Sequence, residues 1–173
     1  MLKIVTVNKN EKFLRQKSEI VTFEQLRTAR VQSLIEEMLQ HVSEDDGEAG
    51  LSAIQIGTPL QIFIFENHSQ KNEKPEAIPV INPELKLLGN ATEIETEGCV
   101  SIPKIFDKVE RHKRVSLSYI TPSGKKIKKT YCGFTARIIQ HEYDHLQGVL
   151  FTDKIAKSSG KTHQETKTNR ETE

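Results

Sequence analysis

No apolar run in this chain approaches the roughly 20 residues that a membrane-spanning helix needs. The opening, MLKIVTVNKNEKFLRQ, is apolar for only about five residues, too few for a signal peptide by the usual 7–15-residue h-region, and no small-residue cleavage site follows it. These absences lead to an expectation of a soluble cytoplasmic protein with no membrane contact. Charge of one sign is lacking too: 25 basic residues face 24 acidic ones, a net charge of +1. Without a basic excess, direct nucleic-acid binding is not expected. Two cysteines, Cys99 and Cys132, are too few for a disulfide scaffold. In a reducing compartment a cysteine near histidines is more often a ligand or nucleophile than half of a bridge. No internal repeat is present. The 173 residues suit one domain with a substantial core and a tail.

Within those limits the chain carries strong periodic signals. From Phe23 to Asp46, Leu26, Val31, Leu34, Ile35, Met38, Leu39 and Val42 recur at three- and four-residue steps, the pattern of a long amphipathic helix. QIFIF (61–65) reads as a buried strand. NHSQKNEKPE is a polar loop, and IPVINPELKLLG reads as short strands interrupted by Pro79 and Pro83. RVSLSYI and KKIKKTY flank TPSGK as a hairpin, and the pattern turns helical again from Phe134 to Leu146. The sequence predicts an α+β fold: mixed and antiparallel strands packed around a C-terminal helix, with a long N-terminal helix. It also predicts one catalytic domain over residues 1–155. The polar stretch 156–173 holds too little apolar surface to order itself and is expected to be a disordered tail.

The chemistry concentrates in HEYDH, residues 141–145. Residues four apart on a helix share a face, so His141 and His145 can direct two imidazoles at one ion. Glu142 lies about 100° around the helix, where its carboxylate can reach water beside such an ion. A shuffled chain of this composition would show HExxH on the order of once in fifty tries, so the pattern alone decides little. Phe134, Ile138, His141 and His145 form one stripe in which two apolar residues lead into two histidines. That stripe argues against a solvated charged face. It leaves open an amphipathic core helix whose histidines hydrogen-bond within the fold.

A catalytic site needs a third protein ligand and an open position. Downstream, Phe151 stands where a HExxHxxGxxH pattern would have its last histidine, and the next glutamate, Glu165, falls in the expected tail. A third ligand should therefore lie upstream. Cys132 is nine residues before His141, about 13 Å along a helix, too far to share an ion; a small buried thiol near the helix start is its expected role. Cys99 sits in TEGCVSIP, an irregular segment suited to present a thiolate and bare backbone N–H groups. From its residues alone, Cys99 reads equally as a ligand or as a small buried hydrophobe.

Three segments in order, GLSAIQIG (50–57), EGCVS (97–101) and QHEYDHLQG (140–148), resemble the signature motifs of peptide deformylase. The resemblance extends to about Asp153. It implies hydrolytic removal of the N-formyl group from the formyl-methionine of nascent polypeptides, with release of formate. It implies Cys99, His141 and His145 as ligands of one divalent metal, iron(II) expected, with zinc, nickel or cobalt as alternatives. Metal-bound water would attack the formyl carbon with Glu142 as general base, while the Gln55 amide and the Val100 backbone N–H stabilise the oxyanion. Ala49, Gly50 and Leu51 would border the peptide substrate, and Phe134 and Ile138 would wall the methionine pocket. Asp144 resembles a residue that pairs behind the ligands, and Arg111 is either its kind of partner or an ordinary solvated arginine. The expected partners are formyl-Met peptides, with transient proximity to the ribosome, and the expected state is a monomer.

The chain departs from the family pattern at Glu48 and Ala49, where the first motif usually has glycine and a branched apolar residue, and at Val100 in place of leucine. These departures bear on substrate preference and rate rather than on the ligands. Three other functions compete: a hydrolase of the same fold acting on another N-acyl group, a metal-stabilised binder of nascent chains without turnover, and, from HExxH alone, a protease, which an upstream cysteine ligand disfavours. Glu142 argues against the binder, because a closed structural site needs no base.

Overall fold

The computed structural model describes residues 2–44, 47–69 and 74–156. From residue 157 on, the predicted tail lies outside the described residues. Among the described residues, seven strands form two antiparallel sheets. β1 (Gly50–Ser52), β2 (Ile62–Asn67), β3 (Glu76–Leu87), β6 (Arg114–Ile120) and β7 (Lys126–Cys132) make a five-stranded sheet in the order β1-β2-β3-β6-β7. β4 (Thr92–Cys99) and β5 (Ile102–His112) form a separate two-stranded ribbon.

The strand IFIF explains the layering. Successive side chains of a strand point to opposite faces. Ile62 and Ile64 join the cluster packed by helix α3 (Ala29–Glu44), with Val31, Ile35, Met38 and Val42 as its buried stripe. Phe63 and Phe65 face the other way, onto Ala136, Ile138, Ile139 and Leu146 of helix α4 (Gly133–Leu146). Both phenylalanines are fully buried, and each such side chain contributes about 1.5–3 kcal/mol by leaving water. The sheet is thus sandwiched between α3 and α4. A third cluster, Leu14, Ile102, Val109, Leu150 and Phe151, ties the ribbon to the segments around Leu14 and Phe151.

The helix expected from Phe23 begins as one capped turn, α2 (Phe23–Leu26), and restarts as α3 at Ala29. Thr28 makes the break: its hydroxyl donates to the Gln25 carbonyl and accepts from the Val31 N–H, closing one helix and capping the next. The short strands expected around Pro79 and Pro83 are one strand, β3. Pro79 lies beyond the stretch paired with β6, and Pro83 falls in the register shift between Ile81 and Glu84, so neither breaks that ladder. Helix α1 (Val7–Leu14) has no apolar stripe to announce it; Leu14 alone is buried. The segment before it crosses the molecule, with Val5 N–H donating to Gln55 O and Val7 N–H to Ser101 O.

Candidate metal centre and active site

Helix α4 carries ten buried residues out of fourteen, including Glu142 and His145. The sheet packs on one side of it and the β4–β5 ribbon on the other, so its polar stripe faces an interior cleft. Cys99 enters that cleft from the end of β4. One ligating atom each from Cys99, His141 and His145 lies within 4.8 Å of the others. Cys99 Sγ is 3.3 Å from His145 Nε2. The two imidazoles meet edge to face, with ring centroids 4.9 Å apart.

The donors suit a divalent cation. His141 Nδ1 donates to Glu97 Oε2 at 2.9 Å, which leaves Nε2 as the nitrogen available to an ion. Burial, then the neighbouring His141 and Arg111 charges, hold His145 neutral well below its usual range. A neutral imidazole is what a metal requires. Burial opposes protonation of His141 too, but Cys99 and Glu97 outweigh it and raise His141 to about 10.

Glu142 is buried beside these groups. Ser52 Oγ donates to its Oε2 at 2.7 Å. Burial pushes Glu142 up to about 7, against the downward pull of His141 and Ser52. Gln55 sits on the 3-10 turn after β1. Its Oε1 accepts from Ser52 N–H at 2.8 Å, and its Nε2 donates to Cys99 Sγ at 3.3 Å and Ser101 Oγ at 3.2 Å.

These groups open on a cleft of about 450 Å³ lined by Ala49, Gly50, Gln55, Val100, Phe134 and Ile138, among others. β1, at the sheet's edge, borders it. Leu51 differs from Ala49 and Gly50: its side chain is buried in the core cluster under α3, so only its backbone remains on the strand edge. Phe134, 51% exposed, stands at the mouth with its ring edge to His68. Glu48, also on the cleft, bonds His41 Nε2 at 3.1 Å. A Cβ on Gly50 would lie 2.8 Å from Glu142 Oε1 and 3.0 Å from Ile138 Cγ2, so any side chain there would push Glu142 or Ile138 out of place.

Behind the ligands lies a buried ionic network. Arg111 is 3% exposed and pairs with Glu97 and Asp144, which excludes the solvated alternative. Lys154 also reaches Asp144, at 2.7 Å. Burial alone would raise Glu97, yet hydrogen bonds from Arg111 and His141 outweigh it and hold Glu97 well below the usual carboxylate range. Cys132 corrects the sequence reading: it is exposed at the N-cap of α4 rather than buried, because β7 hands the chain to the helix at the surface. Glu97, Arg137, Ser52 and Ser101 are site residues that the motif reading passed over. Glu97 stands inside EGCVS, but its partner on α4 is 44 residues away, a distance no local pattern reports.

The family model for polypeptide deformylase matches residues 1–161. This chain belongs to that family. A peptide deformylase of Pseudothermotoga lettingae is 41% identical over 126 residues, covering 73% of this chain and 69% of that protein. The chloroplastic peptide deformylase 1A of Solanum lycopersicum is 36% identical over 169 residues; the match covers 90% of this chain and 61% of that longer protein. Among solved deformylases, the Thermotoga maritima structure superimposes with a TM-score of 0.78 at 32% identity, covering 90% of this chain and 98% of that one. A deformylase of Acinetobacter baumannii, solved with Met-Ala-Ser bound, gives 0.78 at 26% identity over 90% of this chain and 98% of that one. The deformylase fold therefore extends over the strands, the ribbon and α4. Among the described residues, no helix is long and apolar enough to cross a membrane.

Proposed function

We propose that the Cys99, His141 and His145 cluster is the hydrolytic centre through which this deformylase removes the N-formyl group from formyl-methionine peptides. The observation that carries the reading is the convergence of those three donors with a buried carboxylate, Glu142, beside a cleft bordered by an edge strand. Cys99, His141 and His145 would hold one divalent ion, which supplies Lewis acidity, polarising a carbonyl and acidifying water. Iron(II) is the metal we favour, by family; zinc, nickel and cobalt suit the same donors.

The chain's own residues do the rest. A peptide lies along β1, its backbone pairing with the strand edge at Gly50 and Leu51 independently of its sequence. Phe134 and Ile138 offer an apolar wall to the methionine side chain, near Ala49. Glu142 takes a proton from the attacking water as the oxygen–carbon bond forms at the formyl group. Gln55 Nε2 and Val100 N–H donate to the oxygen as it gains charge. The carbon–nitrogen bond then breaks, Glu142 passes its proton to the departing amine, and formate leaves. Glu142, buried beside the proposed ligands and held by the Ser52 hydroxyl, is placed to accept that proton and return it. The Met-Ala-Ser peptide bound to the Acinetobacter relative supports an unformylated peptide as the product here. Residues 1–155 are proposed to act as a single catalytic unit.

The test is formate release from formyl-Met-Ala-Ser by anaerobically purified protein, loaded in parallel with iron(II), nickel and zinc. Turnover is expected with iron or nickel, falling about 100- to 10,000-fold in Glu142→Ala with metal content unchanged. Folded, metal-loaded protein without turnover would overturn the reading.

A further inference from the structure

Glu97 accepts four hydrogen bonds. Its Oε1 takes Arg111 Nε at 2.9 Å and Arg137 Nη1 at 2.7 Å; its Oε2 takes Arg111 Nη2 at 2.9 Å and His141 Nδ1 at 2.9 Å. The carboxylate is saturated, so His141 must be the donor at Nδ1 and must offer its other nitrogen to the cleft. Arg111 cannot fix this arrangement alone, because its Nη1 is also committed to Asp144. Arg137 is buried and anchored independently: Nη1 donates to Val109 O at 3.0 Å and Nη2 to Glu93 O at 2.8 Å, both on the backbone of the ribbon. Its Nε pairs with the half-exposed Glu95 at 3.1 Å. None of these bonds reaches Cys99, His141 or His145.

We propose that Arg137 is a positioning residue for the metal: it pins Glu97 to the backbone of the β4–β5 ribbon and thereby holds His141 in the tautomer and orientation that bind the ion. Arg137 leaves α4 one turn before His141, reaches across to the ribbon that carries Cys99, and joins the two elements that supply the ligands. A fork with several fixed donors is needed, which lysine cannot reproduce. The inference rests on the metal-centre reading above and extends it to a residue outside the ligand set.

The sign of the effect separates positioning from simple electrostatics. Removing a positive charge near a bound cation should, by Coulomb's law, tighten metal binding. Loss of a positioning residue should weaken it. The probe is cobalt(II), with its dissociation constant measured by competition with a chromophoric chelator on protein shown by circular dichroism to be folded. Wild type comes first; failure to bind cobalt would sink the metal-centre reading itself rather than the role of Arg137. If wild type binds, Arg137→Met is expected to weaken cobalt affinity roughly 10-fold, the low end for residues that support a ligand, and to shift the visible cobalt bands. Arg137→Lys, which keeps the charge and the stem and so guards against misfolding, is expected to weaken binding as well. Glu95→Gln, which touches Arg137 but not Glu97, should leave affinity unchanged. In a Glu97→Gln background, Arg137→Lys should add nothing further. Unchanged or tighter binding in the Arg137 variants, or a fully additive loss in the double variant, would overturn the proposal.

Discussion

Gln55 depends on one choice of amide orientation. Ser52 N–H claims its Oε1, which turns the Nε2 donor toward Cys99 and Ser101 and into the cleft. The same Ser52 uses its hydroxyl to hold Glu142, so one small residue aligns both the proposed oxyanion donor and the proposed base. Gln55→Glu keeps the size but replaces the donor with a negative charge. It is expected to lower kcat for the formyl peptide about 100- to 1,000-fold, with metal content unchanged; steady-state kinetics beside metal analysis checks this. A wild-type kcat in that variant would remove Gln55 from the oxyanion site.

Elements meet at narrow tolerances around the cleft. β1 touches α4 at Gly50, where a methyl group would stand 2.8 Å from the Glu142 carboxylate. Gly50→Ala should displace that carboxylate and cut turnover by on the order of 100-fold, the usual result of a 1 Å misplacement; single-turnover kinetics would show the loss in the chemical step. At the far end, α1 is joined to the turn after α4 by Arg15, whose Nη1 donates to Asp153 Oδ2 at 2.8 Å. Arg15 holds the Asp153 carboxyl below its ordinary 3.8. A lowered pKa means stability that is present above 3.8 and is lost as pH falls through the lower native value. Both side chains are over a third exposed, so solvent screening keeps this contribution small. Asp153→Asn should flatten the acid limb of a melting-temperature profile taken between neutral pH and pH 2, and leave the neutral region almost unchanged.

The whole molecule closes around the ligands. Cys99 comes from the ribbon and both histidines from α4, so an ion at this site links two parts of the fold that otherwise meet through side chains. An ion that binds the native state alone stabilises it by mass action. Chelation is therefore expected to lower the melting temperature and reloading to restore it, as read by calorimetry. Glu142→Ala should keep that metal-dependent shift while losing turnover, which separates holding the ion from using it. A melting temperature indifferent to chelation would place the ion elsewhere or nowhere.

The sequence by itself determined whatever rests on short chain separations. HEYDH puts two imidazoles on one helical face because the α-helix repeats every 3.6 residues. IFIF serves both faces of a sheet because strand side chains alternate. RVSLSYI and KKIKKTY pair as β6 and β7 because the turn between them is short. The three motifs, through the family they resemble, pointed to Cys99, Gln55, His141 and Glu142, which share one cleft. The tertiary structure alone decided what depends on partners far away in the chain. Pro79 and Pro83 fit a continuous strand because of where β6 stops and where the register shifts. α1 follows from tertiary contacts rather than from a stripe of its own, and Cys132 is exposed because of how β7 meets α4. Glu97, Arg111 and Arg137 read as ordinary charged residues until folding brings β4, β5 and α4 together. Removed from water, they can persist as ions only by pairing with one another, and that pairing reaches His141 through Glu97.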